Sequence, residues 1–244
     1  MDADMRILVL QHIACEHPGT LRELMRADGA LVHTVELDEG EPIPSLDEFD
    51  VLMVMGGPMD VWQTELHPWL RIELAAIREW VAIKRRPYLG FCLGHQLLAA
   101  ALGGTVEPAR EPEIGVMSVT LTEAGRTSPF LVGIPAEIPC LQWHSAEITR
   151  APDGAEILAS SPACAVNALS WGGHAMSIQF HVEITPTTVE EWGAIPQYAM
   201  ALEQSLGEDG LLRFEEDSRR KLADFQQIAK QLYTNFMAIA RVSA

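Results

Sequence analysis

Residues 88–96, Tyr-Leu-Gly-Phe-Cys-Leu-Gly-His-Gln, run from a short apolar stretch straight into a helix-like segment. Cys92 stands at the join, with glycines two residues before and two after it. A strand that turns at once into a helix needs small residues where backbone meets backbone, as in the tight, strained nucleophile elbow. A sulfur there lies at a helix N-terminus, whose partial positive charge favours the thiolate. The N–H of the next residue, Leu93, has no acceptor inside the helix and can donate to an oxyanion. The same pattern also fits a buried structural cysteine ahead of an ordinary helix, so other parts of the chain must decide.

The surrounding pattern supports strands alternating with helices. Residues 6–10, 32–37, 51–55 and 88–91 are short strand-like runs. Between or after them, residues 20–27, 69–84 and 93–102 have helical spacing, with Leu70, Leu74, Ile77 and Val81 forming one apolar stripe. This order predicts βαβ units and a mostly parallel sheet. Residues 116–121, 156–160, 165–171 and 175–180 read as antiparallel or mixed additions to that sheet. From residue 185 onward the chain is helical in pattern, over 188–206 and 210–241. The simplest organisation is one α/β domain over residues 1–244, with 185–244 as a helical extension. Trp192, Tyr198 and Met200 in that extension are expected to pack in the core by default, with a substrate lid or an oligomer interface as alternatives, and the acidic residues of 203–217 to form a solvated face or to meet a basic partner.

Composition narrows the function. Of 244 residues, 48% are hydrophobic, enough for a sizeable core, and the net charge of -17 disfavours phosphate backbones and anionic lipid surfaces. No nucleic-acid or membrane partner is expected. The acidic start Met1-Asp2-Ala3-Asp4-Met5 and the short apolar run after it do not make a signal peptide. With no stretch of the roughly 20 apolar residues that span a bilayer, the expected location is the cytoplasm. Cys15, Cys92, Cys140 and Cys164 lie far apart without a CxxC pair, so neither a disulfide framework nor a metal site is expected. Cys15, Cys140 and Cys164 lack an elbow and read as structural.

Two further segments complete a site. In Gln179-Phe180-His181-Val182-Glu183 at a strand end, side chains two apart point the same way. His181 and Glu183 can therefore face one point, the carboxylate orienting the imidazole as a thiol nucleophile requires. Gly56-Gly57-Pro58 follows the apolar run 51–55, at the carboxyl end of a parallel strand, where open α/β sheets place their ligands. A bare backbone there can bring a second N–H to an oxyanion.

Together these segments resemble the class I, or triad, glutamine amidotransferases, from about residue 6 to residue 185. The resemblance implies a flavodoxin-like three-layer sandwich with no cofactor. It implies that Cys92 attacks the γ-carbonyl of glutamine, His181 shuttles the proton, and Glu183 orients His181. The N–H groups of Gly57 and Leu93 would hold the oxyanion. Gln96 matches the position that contacts bound glutamine, and Trp143-His144-Ser145-Ala146 resembles the segment whose main chain grips the amino-acid end. Val182 departs from the family's usual proline. Its side chain is expected to point away from the site, with little effect.

Within these residues there is no Gly-x-x-x-x-Gly-Lys-Ser/Thr loop and no Ser-Gly-Gly-x-Asp-Ser-like loop, hence no synthetase half to consume ammonia. The stretch Gln11-His12-Ile13-Ala14-Cys15-Glu16-His17-Pro18-Gly19 resembles the stand-alone branch, which includes γ-glutamyl peptidases. The leading expectation is a free-standing hydrolase of the glutamine amide or a γ-glutamyl amide. A glutaminase subunit feeding a separate synthase uses the same triad and stays open, as does a homo-oligomer. A non-catalytic sensor on this fold would not need an intact Cys-His-Glu set. An α/β-hydrolase would place its acid before its histidine, the reverse of His181 and Glu183.

Overall fold

The computed structural model describes residues 5–243; the acidic stretch 1–4 and Ala244 lie outside them. The apolar runs build one nine-stranded sheet: β1 (Arg6–Gln11), β2 (Leu31–Glu36), β3 (Val51–Val54), β4 (Tyr88–Phe91), β5 (Thr105–Leu121), β6 (Glu137–Arg150), β7 (Ala155–Ser160), β8 (Ala168–Trp171) and β9 (Ala175–Ile178). Their order is β2-β1-β3-β4-β9-β8-β7-β5-β6. The first five in that order pair in parallel, and β8, β7, β5 and β6 continue it antiparallel.

The helices are α1 (Leu21–Ala27), α2 (Trp69–Arg78), α3 (Leu93–Ala101), α4 (Glu123–Thr127), α5 (Thr188–Gly193), α6 (Pro196–Leu206) and α7 (Gly210–Ser243). Side-chain alternation along the parallel strands splits the core into two layers. Ile7, Val9, Val51, Met53, Leu89 and Phe91 face one side, together with Leu21 and Met25 of α1 and Phe225, Leu232 and Phe236 of α7. Leu8, Leu10, Leu52, Val54 and Tyr88 face the other, together with Leu70 and Ile77 of α2 and Leu97 and Leu98 of α3. A sheet between two helical layers is the flavodoxin-like arrangement, with the long C-terminal helix packed into it.

Three local expectations change. The helix expected over 188–206 is two, because Ile195 is extended ahead of Pro196, which starts α6. Helix α2 stops at Arg78 and continues as one π turn, Glu79–Ile83. The strand expected over 116–121 is the end of the much longer β5, whose hairpin partner β6 the sequence reading did not identify. Among the described residues no helix is long and apolar enough to cross a membrane.

Candidate active site

Cys92 lies between β4 and α3 with φ 47° and ψ -101°. A residue with a Cβ seldom adopts this conformation, at a cost of about 1–3 kcal/mol that the surroundings must offset. Its N–H donates to Ile178 O at 2.9 Å, and its carbonyl accepts from Gln96 N–H at 3.1 Å. The flanking glycines are steric requirements. A Cβ on Gly94 would lie 2.2 Å from Val54 O, and one on Gly90 would lie 2.8 Å from Gly94 O. Thus β3, β4 and the first turn of α3 pack too closely at Gly90 and Gly94 to admit side chains.

Beyond β9 the chain stays extended and borrows a place beside β6. His181 N–H donates to Leu141 O at 2.8 Å, and Leu141 N–H donates to His181 O at 3.0 Å. His181 Nδ1 lies 2.5 Å from Glu183 Oε1, both side chains buried. With Nδ1 taken by the carboxylate, the imidazole lies close enough to Cys92 for the two to act on each other electrostatically. Burial alone would lower the His181 pKa, but Glu183 and Cys92 outweigh it and hold the value well above the ordinary histidine range. Glu183 is itself fixed: its Oε2 accepts from Val182 N–H at 3.0 Å, and its carbonyl accepts from Thr20 N–H at 2.6 Å. Val182 is fully buried.

A chain of amides continues from the sulfur. Gln179 Nε2 donates to Cys92 Sγ at 3.5 Å, and its Oε1 accepts from Gln96 Nε2 at 3.1 Å. Gln96 Nε2 also donates to Ala146 O at 3.1 Å, so the amide hydrogens of Gln96 are held by protein. His144 joins Ala146 O at 3.0 Å and Glu113 Oε2 at 3.1 Å. Burial would raise the Glu113 pKa, but the bonds from His144 and Asn167 bring it below the ordinary value.

Beside them lies a cavity of about 70 Å³ whose wall includes Gly57, Cys92, Leu93, Gln96, His144, Ser145 and Ala146. The expected site residues therefore meet at one place; His181 and Glu183 are not in the wall and reach it through Cys92. Asp60 and Gln197 also line the cavity and were not foreseen, and Tyr198, for which a place over the substrate was one of the readings, lines it too. Among the described lining residues there is no Lys or Arg.

Another buried carboxylate, Glu16, was also missed. Tyr198 OH donates to Glu16 Oε1, and a Cβ on Gly56 would meet Glu16 Oε2 at 2.5 Å. Burial raises the Glu16 pKa, with His181 and Tyr198 pulling the other way. Trp192 stands edge-on to the His181 ring at 4.6 Å and donates to Cys15 O at 3.1 Å. Trp192 and Tyr198 are thus core residues, as expected by default; Tyr198 also lines the cavity and Trp192 packs on His181. Met200 of the same stretch is exposed instead.

His95, inside the elbow motif, is not part of the site. Its ring nitrogens face Ser177 Oγ and Val166 O, and burial lowers its pKa to about 4, which keeps it neutral. Burial pushes the thiols of Cys15 and Cys164 up to about 12, and that of Cys140 higher still. Among the described residues no group of three or more His, Cys, Asp or Glu is placed to hold a metal ion.

The family model for glutamine amidotransferase class-I matches residues 20–192, and the chain belongs to that family. The glutamine amidotransferase-like protein YfeJ of Salmonella typhimurium is 33% identical over 190 residues, covering 76% of this chain and 79% of the relative. Gamma-glutamyl peptidase 3 of Arabidopsis thaliana is 28% identical over 142 residues, 57% of this chain and 56% of the relative. The crystal structure of a glutamine amidotransferase from Thermotoga maritima superposes with a TM-score of 0.84 at 25% identity, covering 95% of this chain and 97% of that one.

Proposed function

We propose that this chain hydrolyses the side-chain amide of glutamine, or a γ-glutamyl amide, through a thioester on Cys92. The observation that carries this reading is the buried His181–Glu183 pair, at 2.5 Å, beside the strained Cys92 that opens into the cavity. A thiol flanked by a base and its orienter is an activated nucleophile.

In the proposed reaction the Cys92 thiolate adds to the γ-carbonyl carbon, and the carbonyl π electrons move to oxygen. The N–H groups of Gly57 and Leu93 stabilise that oxyanion; losing one such donor costs about a hundredfold or more in rate. The C–N bond then breaks, and the leaving nitrogen takes its proton from the His181 imidazolium. Water next attacks the thioester carbonyl and gives a proton to His181. The C–S bond breaks to release glutamate and return the thiolate. Glu183 keeps the imidazole in the tautomer and orientation both steps need.

The test is assay of the purified chain with glutamine and with γ-glutamyl dipeptides. Release of ammonia or of the amine, abolished by Cys92→Ala, supports the reading. Silence on every substrate until a synthase is added would assign the chain to the glutaminase-subunit role instead.

A further inference from the structure

The proposed reaction needs glycines after β3 because nothing larger fits. A Cβ on Gly57 would lie 2.9 Å from His12 Cβ and 3.1 Å from Leu93 Cδ2. Glycine solves the crowding but creates a second difficulty. The peptide between two glycines rotates readily, and a flip replaces its N–H with its C=O. A carbonyl aimed at an oxyanion would repel it. Something outside the turn has to choose the orientation.

His12, just beyond β1, is fully buried, and so is Glu73 of α2. His12 Nε2 lies 2.9 Å from Glu73 Oε1, and Trp69 stacks on the imidazole at 5.6 Å. The other ring nitrogen, Nδ1, lies 2.8 Å from Gly56 O. A carbonyl only accepts, so Nδ1 carries a hydrogen and donates it. The peptide is trans, since the described residues contain no cis bond. Its C=O and N–H therefore point in opposite directions. Holding Gly56 O on His12 turns Gly57 N–H away from His12, and Gly57 lines the same cavity as Cys92 and Leu93.

The pair has no direct part in the proposed bond-making steps, and burying it is unfavourable. Glu73 Oε2 is a buried oxygen without a hydrogen-bond partner. Apolar residues of similar volume would often fill such a site as well or better. A buried ionisable pair held against one carbonyl points to orientation, not stability.

We propose that His12, anchored by Glu73, is a positioning residue that locks the Gly56–Gly57 peptide so that Gly57 N–H is presented to the oxyanion. The inference rests on the thioester reading above. His12 also acts electronically: a donor on the Gly56 carbonyl polarises the peptide and strengthens the N–H as a donor.

The test compares wild type with two variants. The double variant His12→Leu/Glu73→Met replaces the pair with apolar volume and so retains the fold. His12→Asn keeps an N–H donor close to the Nδ1 position. The readouts are kcat and KM on a γ-glutamyl anilide, the rate at which iodoacetamide alkylates Cys92, and the amide resonance of Gly57 by NMR. The double variant should lose about a hundredfold in kcat, with KM within about threefold. Its alkylation rate should stay within about twofold, because alkylation makes no oxyanion. His12→Asn should regain at least about tenfold of the lost kcat. The single Gly57 resonance of wild type should split or broaden in the double variant as the peptide flips. A double variant with near wild-type kcat overturns the proposal. So does one whose alkylation falls in step with kcat, or whose Gly57 resonance stays single and unshifted. Failure of wild type to turn over any γ-glutamyl substrate is a different result: it removes the thioester reading, while the Gly57 resonance still reports whether His12 fixes the peptide.

Discussion

Gly94→Ala isolates the steric logic of the elbow, because the atoms nearest the added methyl group all belong to Val54 and the two closest are backbone. The added Cβ would lie 2.2 Å from Val54 O, 2.8 Å from Val54 C and 3.0 Å from Val54 Cγ1. Ordinary contact requires about 3.4 Å, so α3 and β3 must part by roughly 1 Å. Neither can yield cheaply, since Gly94 N–H is bonded to Met55 O at 3.1 Å and Tyr88 OH is bonded to Gly94 O at 2.7 Å. Overpacking of this kind costs about 1–3 kcal/mol or somewhat more. For a chain of this size each kcal/mol lowers Tm by about 2–4 °C, giving a fall of roughly 2–12 °C. A displacement of about 1 Å at a nucleophile costs on the order of a hundredfold in rate. Gly103→Ala is the control, with nothing within 4 Å of its Cβ and only the strain of φ +87° to bear. It should cost about 1 kcal/mol and leave the rate of Cys92 acylation unchanged. Calorimetry and labelling by a γ-glutamyl electrophile read both effects. A Gly94→Ala protein that melts within about 2 °C of wild type and acylates at the wild-type rate would refute the reasoning.

Cys92→Gly should melt above Cys92→Ala, by roughly 2–4 °C, because glycine occupies φ 47° without strain while alanine does not; both should be inactive in a γ-glutamyl hydrolysis assay. Glu16→Gln should lower kcat by about tenfold, since it removes a negative charge near His181, yet stabilise the fold by about 1–3 kcal/mol at neutral pH. The pH dependence has a definite sign. Folding raises the Glu16 pKa, so the wild-type carboxyl opposes folding least below its unfolded value of about 4.3 and most above its folded value. The Tm advantage of Glu16→Gln should therefore appear as pH rises from about 4 and then level off, and an advantage that shrinks instead would contradict the assignment. Asp60, half-buried in a cavity wall without Lys or Arg, is placed to meet an α-ammonium group. Asp60→Asn should raise KM for γ-glutamyl substrates by about 3–10-fold with little change in kcat, measured by steady-state kinetics.

Chemistry that lies close together in sequence was legible from the residues themselves. The elbow announces itself because Gly90, Cys92 and Gly94 answer a local steric demand, and His181 and Glu183 share a face through a two-residue spacing. The parallel strands were legible for a related reason: β1, β3 and β4 are covered by helices on both faces, and their central residues are apolar without interruption. Strand β6 was not, because its pattern is broken by Gln142 and His144. These are buried polar residues whose partners, Asn167 and Glu113, lie far along the chain. The first half of β5 carries Pro108 and Pro112 and is largely exposed, so it shows no alternation. His12, Glu16 and Glu73 escaped for a similar reason. Their partners, Gly56 and Glu73 for His12 and Tyr198 for Glu16, are chosen by tertiary packing, and no local spacing signals a contact 61 positions away, as between His12 and Glu73. Gln96 was found by its place in the motif, but its amide hydrogens turn out to be held by Ala146 and Gln179.

The most direct test is to treat the intact protein with a γ-glutamyl chloromethyl ketone and locate the adduct by mass spectrometry. The account predicts one adduct, on Cys92, blocked by excess glutamine and absent from Cys92→Ala. It also predicts that Cys15, Cys140 and Cys164, whose thiols burial pushes well above the usual range, stay unmodified. Labelling at another residue, or hydrolysis of γ-glutamyl substrates that survives in Cys92→Ala, would contradict it.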